Sequence, residues 1–151
     1  MSDSLPLTML IELARNRTDA STRRLGELLR AQTGAAEKLD MLLQYRQEYC
    51  DRMQARARDG VSSAHWRNFQ HFMSTLNGAI EQQRALMVHA DARLVQGRGE
   101  WQRNTRRLNA FGTLAERVRQ QEALALGKRE QRESDERVAG QRRVRASSRT
   151  N

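Results

Sequence analysis

Three histidines and one cysteine are the side chains of this sequence best suited to metal or nucleophilic chemistry. His65 and His71 lie six residues apart and His89 is more distant, whereas two ligands on one helix face are spaced by about four residues. Cys50 is alone, so it cannot form a disulfide within the chain. We therefore predict surface histidines, an ordinary packing role for Cys50 and no bound metal.

Motifs for phosphate or dinucleotide binding are missing from the sequence. The segment 97–99 (Gly-Arg-Gly) lacks the third glycine of a dinucleotide fingerprint and lies within a helical pattern. No phosphate loop of the Walker type is present. We predict that the protein is not an enzyme and uses no cofactor.

The chain is strongly basic, with a formal net charge of +9 and arginine clusters at 103–107 and 142–145. Such a surface suits nucleic acid, an anionic membrane or an acidic protein, and charge alone does not choose among them. Aromatic residues do not interleave with the clusters, so stacking on single-stranded nucleic acid is not indicated.

Two long seams of apolar residues, advancing by steps of three and four, must position any functional side chain. The first seam is Ile11, Ala14, Thr18, Ser21, Leu25, Leu28, Gln32, Ala35, Leu39, Leu42, Arg46, Tyr49 and Met53. The second is Trp66, Phe69, Met73, Leu76, Ile80, Gln83, Met87, Ala90, Leu94, Gly97, Trp101, Asn104, Leu108, Phe111, Ala115 and Val118. A period of about 3.5 residues predicts supercoiled α-helices.

One break separates the seams, at 59–63 (Asp-Gly-Val-Ser-Ser), where the Asp-Gly pair is a strong turn signal. The break predicts an all-α fold, a long two-helix antiparallel coiled-coil hairpin with unequal helices. The expected segments are a first coiled-coil helix at 1–58, a turn at 59–63, a second, longer helix at 64–140 and a basic disordered tail at 141–151.

Reversal of the chain within this break also predicts the register of the two helices. The expected pairs are Leu28 with Leu94, Leu25 with Gly97, and Ser21 with Trp101. In the last two pairs a large side chain opposes a small one, as close helix packing requires. Three polar seam residues are expected to fix it: Gln32, Gln83 and Asn104.

A second apolar stripe lies beside the seams near the turn. Tyr45 on the first helix and Phe72 on the second are off their seams, and the register brings them toward each other. Ordinary widening of the core and an exposed partner site both explain such a patch.

Nothing in the sequence predicts membrane insertion or secretion. No apolar run approaches the ~20 residues that span a bilayer. The N-terminus lacks the basic and hydrophobic regions of a signal peptide. We expect a cytoplasmic protein.

The segment 66–72 (Trp-Arg-Asn-Phe-Gln-His-Phe), followed by Leu76 and 79–82 (Ala-Ile-Glu-Gln), resembles the FliJ family of flagellar type III export proteins. Supporting matches lie at 25–27, 37–42, 45, 48–49, 101 and 107–108, with a weaker one at 135–139. The resemblance covers nearly the whole chain. It implies an antiparallel coiled coil similar to the central stalk of rotary ATPases, which acts without catalysis in flagellum assembly and motility.

The same resemblance implies three partners: the hexameric export ATPase, the cytoplasmic part of the membrane export gate, and export chaperones. The gate-binding residues of the family match Leu42, Tyr45, Tyr49, Phe72, Leu76 and Ala79. On that surface, Lys38 and Gln83 depart from the glutamine and histidine of enteric members. ATPase contacts match 7–24 and about 103–143. Peripheral association with the cytoplasmic side of the inner membrane follows from these partners.

Two other functions stay open from the sequence. A basic coiled-coil nucleic-acid-binding protein would depend on arginines, and its binding would weaken steeply with salt. A dedicated secretion chaperone would bind its one substrate directly. The favoured interpretation expects no nucleic-acid partner and predicts that truncating Tyr45 or Phe72 abolishes gate binding.

Overall fold

Two long helices make up the computed structural model, which describes residues 4–150. Helix α1 is Ser4–Asp59 and helix α2 is Ser63–Arg149, and no strand occurs among the described residues. The predicted all-α hairpin of unequal helices is confirmed. Residues 1–3 of the predicted first segment and Asn151 of the predicted tail lie outside the described residues.

Contacts divide the chain into two units. Unit 1 combines Met1–Asn16 with Arg106–Asn151, and unit 2 is Arg17–Thr105. Each unit contains part of both helices. The segments predicted from the sequence each follow a single helix, unlike these units. The division of the chain into those segments stays a prediction.

The turn consists of residues 60–62, and its conformation follows from its sequence. Gly60 has a φ of 92°, in the left-handed region that favours glycine. Ser62 then caps α2, because its Oγ accepts a hydrogen bond from the His65 amide at 3.2 Å. The Ser62 carbonyl accepts a second one, from the Trp66 amide at 3.0 Å. The turn signal of the Asp-Gly pair therefore acts as expected.

The core is a thin line of side chains along the predicted seams. Every buried residue among 6–150 is a seam residue: Ala14, Ser21, Leu28, Leu76, Ile80, Gln83, Leu94 and Gly97. All of them except Ala14 belong to unit 2. Ile80 is the most deeply buried, with 1% of its surface exposed.

Hydrogen bonds between the helices of unit 2 confirm the predicted register. Gln32 Nε2 donates to Asp91 Oδ1 at 2.7 Å, and Arg46 Nη1 donates to Asn77 Oδ1 at 3.0 Å. One predicted pair differs in detail, since Gly97 lies against Leu28 instead of Leu25.

Polar seam residues hold the helices together where apolar ones are missing. Gln83 Nε2 donates to the Ala35 carbonyl at 3.1 Å, and Asn104 Nδ2 donates to Ser21 Oγ. Trp101 Nε1 donates to the hydroxyl of Thr22 at 3.1 Å, one residue from its predicted partner. Buried polar groups need such partners, and these partners exist only in one register.

In unit 1 the N-terminal part of α1 packs on α2 beside a shallow groove. The groove is lined in part by Leu7, Ile11, Ala115 and Val118. Beyond it, residues 119–150 are all exposed. Helix α2 nevertheless continues to Arg149, which differs from the disordered tail predicted at 141–151. The segment contains no proline and is rich in arginine, glutamate, glutamine and alanine, which favour helix without tertiary packing. No helix among the described residues is long and apolar enough to cross a membrane.

Candidate partner-binding site

Five aromatic residues near the turn form one continuous cluster within unit 2: Tyr45, Tyr49, Trp66, Phe69 and Phe72. Tyr49 is its centre, with ring centroids 4.4 Å from Phe72 and 5.5 Å from Phe69. Tyr45 contacts Phe72 edge-on at 6.0 Å. Edge-on and stacked rings at such distances are favourable arrangements, so the cluster is a preformed surface.

Helical spacing explains why the cluster forms. Leu42, Tyr45 and Tyr49 recur by steps of three and four and therefore share one face of α1. Phe72, Leu76 and Ala79 do the same on α2. The antiparallel register sets the two faces side by side.

The six residues predicted to form the site differ in exposure. Tyr45 is the most open, with 44% of its surface exposed. Four are half-buried: Leu42, Tyr49, Phe72 and Ala79. Leu76 is 6% exposed, so it supports the site from the core and presents little surface to a partner.

The two departures from the enteric pattern lie in different environments. Lys38 is exposed, as expected for a surface position. Gln83 is 5% exposed and bonded across the helices to the Ala35 carbonyl. The family resemblance expects Gln83 on the gate-binding surface, whereas its side chain lies between the helices and, like that of Leu76, presents little surface to a partner.

Two further features of the site were not expected from the sequence. Trp66, predicted as a seam residue, is 47% exposed, although its ring stacks on Phe69 at 5.5 Å. Beside Tyr49, a small cavity of about 110 Å³ is lined also by Arg52, Met53 and Arg56. Trp66 lies in the first turn of α2, where the helix pair ends, and this position in the sequence could have indicated that its side chain is exposed.

Side chains capable of chemistry are not brought together. His65, His71 and His89 are all exposed, as predicted, and Cys50 is half-buried. Among the described residues, no group of three or more histidine, cysteine, aspartate or glutamate side chains could hold a metal ion. What the arrangement offers is a surface of aromatic side chains.

Comparison with known proteins confirms the family resemblance of the sequence. The model of the family described as "Flagellar FliJ protein" matches residues 2–148. A Flagellar FliJ protein of Salmonella typhi is 33% identical over 130 residues, which is 86% of this chain and 88% of the relative. A Flagellar FliJ protein of Escherichia coli (strain K12) is 32% identical over 136 residues, which is 90% of this chain and 92% of the relative. The chain therefore belongs to the flagellar FliJ family, whose members take part in flagellar protein export.

Proposed function

We propose that the protein is a stalk and adaptor of the flagellar export apparatus, and that its aromatic cluster binds the cytoplasmic part of the membrane export gate. The observation that carries the proposal is the position of Tyr45. It lies off the seam, 44% exposed, and is held edge-on against Phe72. The core of the helix pair does not require an aromatic residue at such a position.

The physical character of the cluster suits a binding site. Aromatic anchors contribute much of the energy of protein interfaces, often about 2 kcal/mol or more each. Ring contacts with Tyr49 and Phe72 already restrict Tyr45, so a partner would pay little entropy to order it. An export gate bound here would bring the protein to the cytoplasmic side of the inner membrane without a membrane span of its own.

The export ATPase is the second proposed partner, with contacts in 7–24 and 103–143. Within unit 1, the face of α1 that includes Met9 and Leu13 supports this proposal. Their exposed fractions are 66% and 48%, which is high for large apolar side chains on a helix. Escort of export chaperones is proposed from family membership alone.

Capture of partners from a lysate at moderate salt tests the proposal. The tagged protein should retain the gate and the ATPase, whereas a variant carrying Tyr45→Ala and Phe72→Ala should lose the gate and keep the ATPase. Leu86→Ala, at a position 56% exposed within unit 2, is the matched control and should keep both. Loss of every protein partner, with salt-sensitive retention of nucleic acid, would favour the nucleic-acid alternative.

A further inference from the structure

We infer that the binding surface extends from the aromatic cluster toward the turn, where Trp66, Arg52 and Arg56 receive an acidic amphipathic segment of the partner. The inference rests on the proposed function, because it takes the export gate as that partner. It adds a second anchor to the site and a chemical class for the segment that binds there.

Trp66 is built as an anchor. One face of its ring stacks on Phe69, with centroids 5.5 Å apart and planes 26° from parallel. The side chain is nevertheless 47% exposed, slightly more than Tyr45. A tryptophan that is ordered on one side and open on the other offers a large apolar area at low entropic cost.

Trp66 is continuous with the proposed gate site. Phe69 stacks on Tyr49 at 5.5 Å with the planes 11° apart, and Tyr49 contacts Phe72 at 4.4 Å. The chain of ring contacts thus runs from Tyr45 to Trp66 within unit 2. A partner segment seated on Tyr45 and Phe72 can follow the same aromatic surface to the turn.

Beside this surface, the cavity of about 110 Å³ on α1 is lined by two largely apolar residues and two arginines. Tyr49 and Met53 are the apolar lining residues, and Arg52 and Arg56 are the charged ones. Arg52 lies 3.9 Å from Glu48 in an exposed pair, which is a weak interaction. Arg56 forms no ion pair with any residue of the described segment 4–150.

These features select the occupant. An apolar side chain fits the cavity between Tyr49 and Met53, and a neighbouring carboxylate can bind Arg52 or Arg56 with charge-assisted hydrogen bonds. A second copy of this chain, with its net charge of +9, would be repelled. A phosphate backbone would leave the aromatic surface beside the cavity unused. An acidic amphipathic segment satisfies both parts of the surface.

Fluorescence of Trp66 provides a direct test. The chain has two tryptophans, so Trp101→Phe leaves Trp66 as the single reporter. Titration with a tryptophan-free cytoplasmic fragment of the gate should shift its emission to shorter wavelength and protect it from acrylamide. An unchanged spectrum at saturation would overturn the placement of Trp66 in the interface.

Affinity measurements with the same fragment test the anchor and the charges separately. Trp66→Ala should weaken binding about 30-fold, as expected for an aromatic anchor of an interface. Arg52→Gln with Arg56→Gln should weaken it about tenfold and flatten its salt dependence. Arg93→Gln with Arg98→Gln, a matched exposed pair in unit 2, should change affinity less than twofold.

The outcomes separate this inference from the proposed function. If Tyr45→Ala with Phe72→Ala abolishes binding while Trp66→Ala and the Arg52 and Arg56 changes have no effect, the extension is wrong and the gate site stands. If none of these changes affects binding, the proposed function fails as well. Should Trp66→Ala lower the melting temperature, Trp66→Phe and the fluorescence titration decide the matter, because both leave the stacking on Phe69 in place.

Discussion

Leu28 and Gly97 provide the sharpest test of how the helices pack in unit 2. Leu28 is 6% exposed, and its Cδ1 occupies the space that a Cβ at residue 97 would need. Leu28→Ala leaves a cavity that a glycine cannot fill, so it should lower the free energy of unfolding by about 3–5 kcal/mol. Leu29→Ala, at the neighbouring position that is 42% exposed, is the matched control and should cost less than about 1 kcal/mol.

Gly97→Ala sets two effects against each other. Replacing a glycine within a helix by alanine gains about 1 kcal/mol. The overlap with Leu28 costs about 1–3 kcal/mol, because a buried leucine has little room to move. We expect a net loss of about 1 kcal/mol. Gly78→Ala, on the same helix with no atom within 4 Å of its added Cβ, should instead gain about 1 kcal/mol.

Combining Leu28→Ala with Gly97→Ala should reverse the effect of Gly97→Ala on the free energy of unfolding, from a loss to a gain. In the Leu28→Ala background the overlap is gone, so Gly97→Ala should stabilise by about 1 kcal/mol or more. The coupling energy of the double-mutant cycle is then about 2 kcal/mol. Urea unfolding followed by the helical circular dichroism signal measures each variant. Equal stabilisation by Gly97→Ala in both backgrounds would show that Leu28 does not pack on Gly97.

Three further predictions concern the register and the tail. The side chains of Gln32 and Asp91 are hydrogen-bonded at 2.7 Å. In a background lacking Cys50, cysteines at these two positions should therefore be joined within one chain by a short bifunctional maleimide. Cross-linked products only between chains would contradict the hairpin. Gln83→Ala should lower the free energy of unfolding by about 1–2 kcal/mol, because a buried hydrogen bond is lost. Gln82 is exposed next to it, so Gln82→Ala should leave the stability unchanged. Equal effects of the two substitutions would refute a bridging role of Gln83. Removal of 142–151 should leave thermal melting unchanged, because the described residues of this segment are exposed; a lower melting temperature would mean that the segment packs on the rest.

The position of the core was predictable because a coiled coil has a simple geometric rule. A residue such as Ile80 is buried wherever a helix faces its partner, and sequence spacing alone gives that face. The register followed from the single break at 59–63, where the chain must reverse, and the observed bridge of Gln32 to Asp91 agrees with it. The spacing of the seams and the position of the break, both read directly from the sequence, specify these two features.

Two of the remaining differences arise where that rule has no partner helix to act on. Trp66 has the spacing of a core residue, but it lies where the helix pair ends, so half of its surface stays open. Residues 141–149 lack a seam, yet helix propensity alone continues α2 to Arg149. Gln83 is a third case: family resemblance assigned it to the surface, whereas the seam spacing placed it between the helices, where its bond to Ala35 holds it.

The central claim is that the aromatic cluster is a binding surface and not simply part of the core. Gate affinity and thermal melting, measured on one preparation carrying Tyr45→Ala and Phe72→Ala, test it most directly. Tyr45 is 44% exposed and Phe72 half-buried, so the fold should lose only about 1–2 kcal/mol. Affinity for the cytoplasmic part of the gate should fall at least ~30-fold while helicity persists. A variant that unfolds would show that the cluster is core, and a folded variant that binds the gate normally would show that the site lies on another surface.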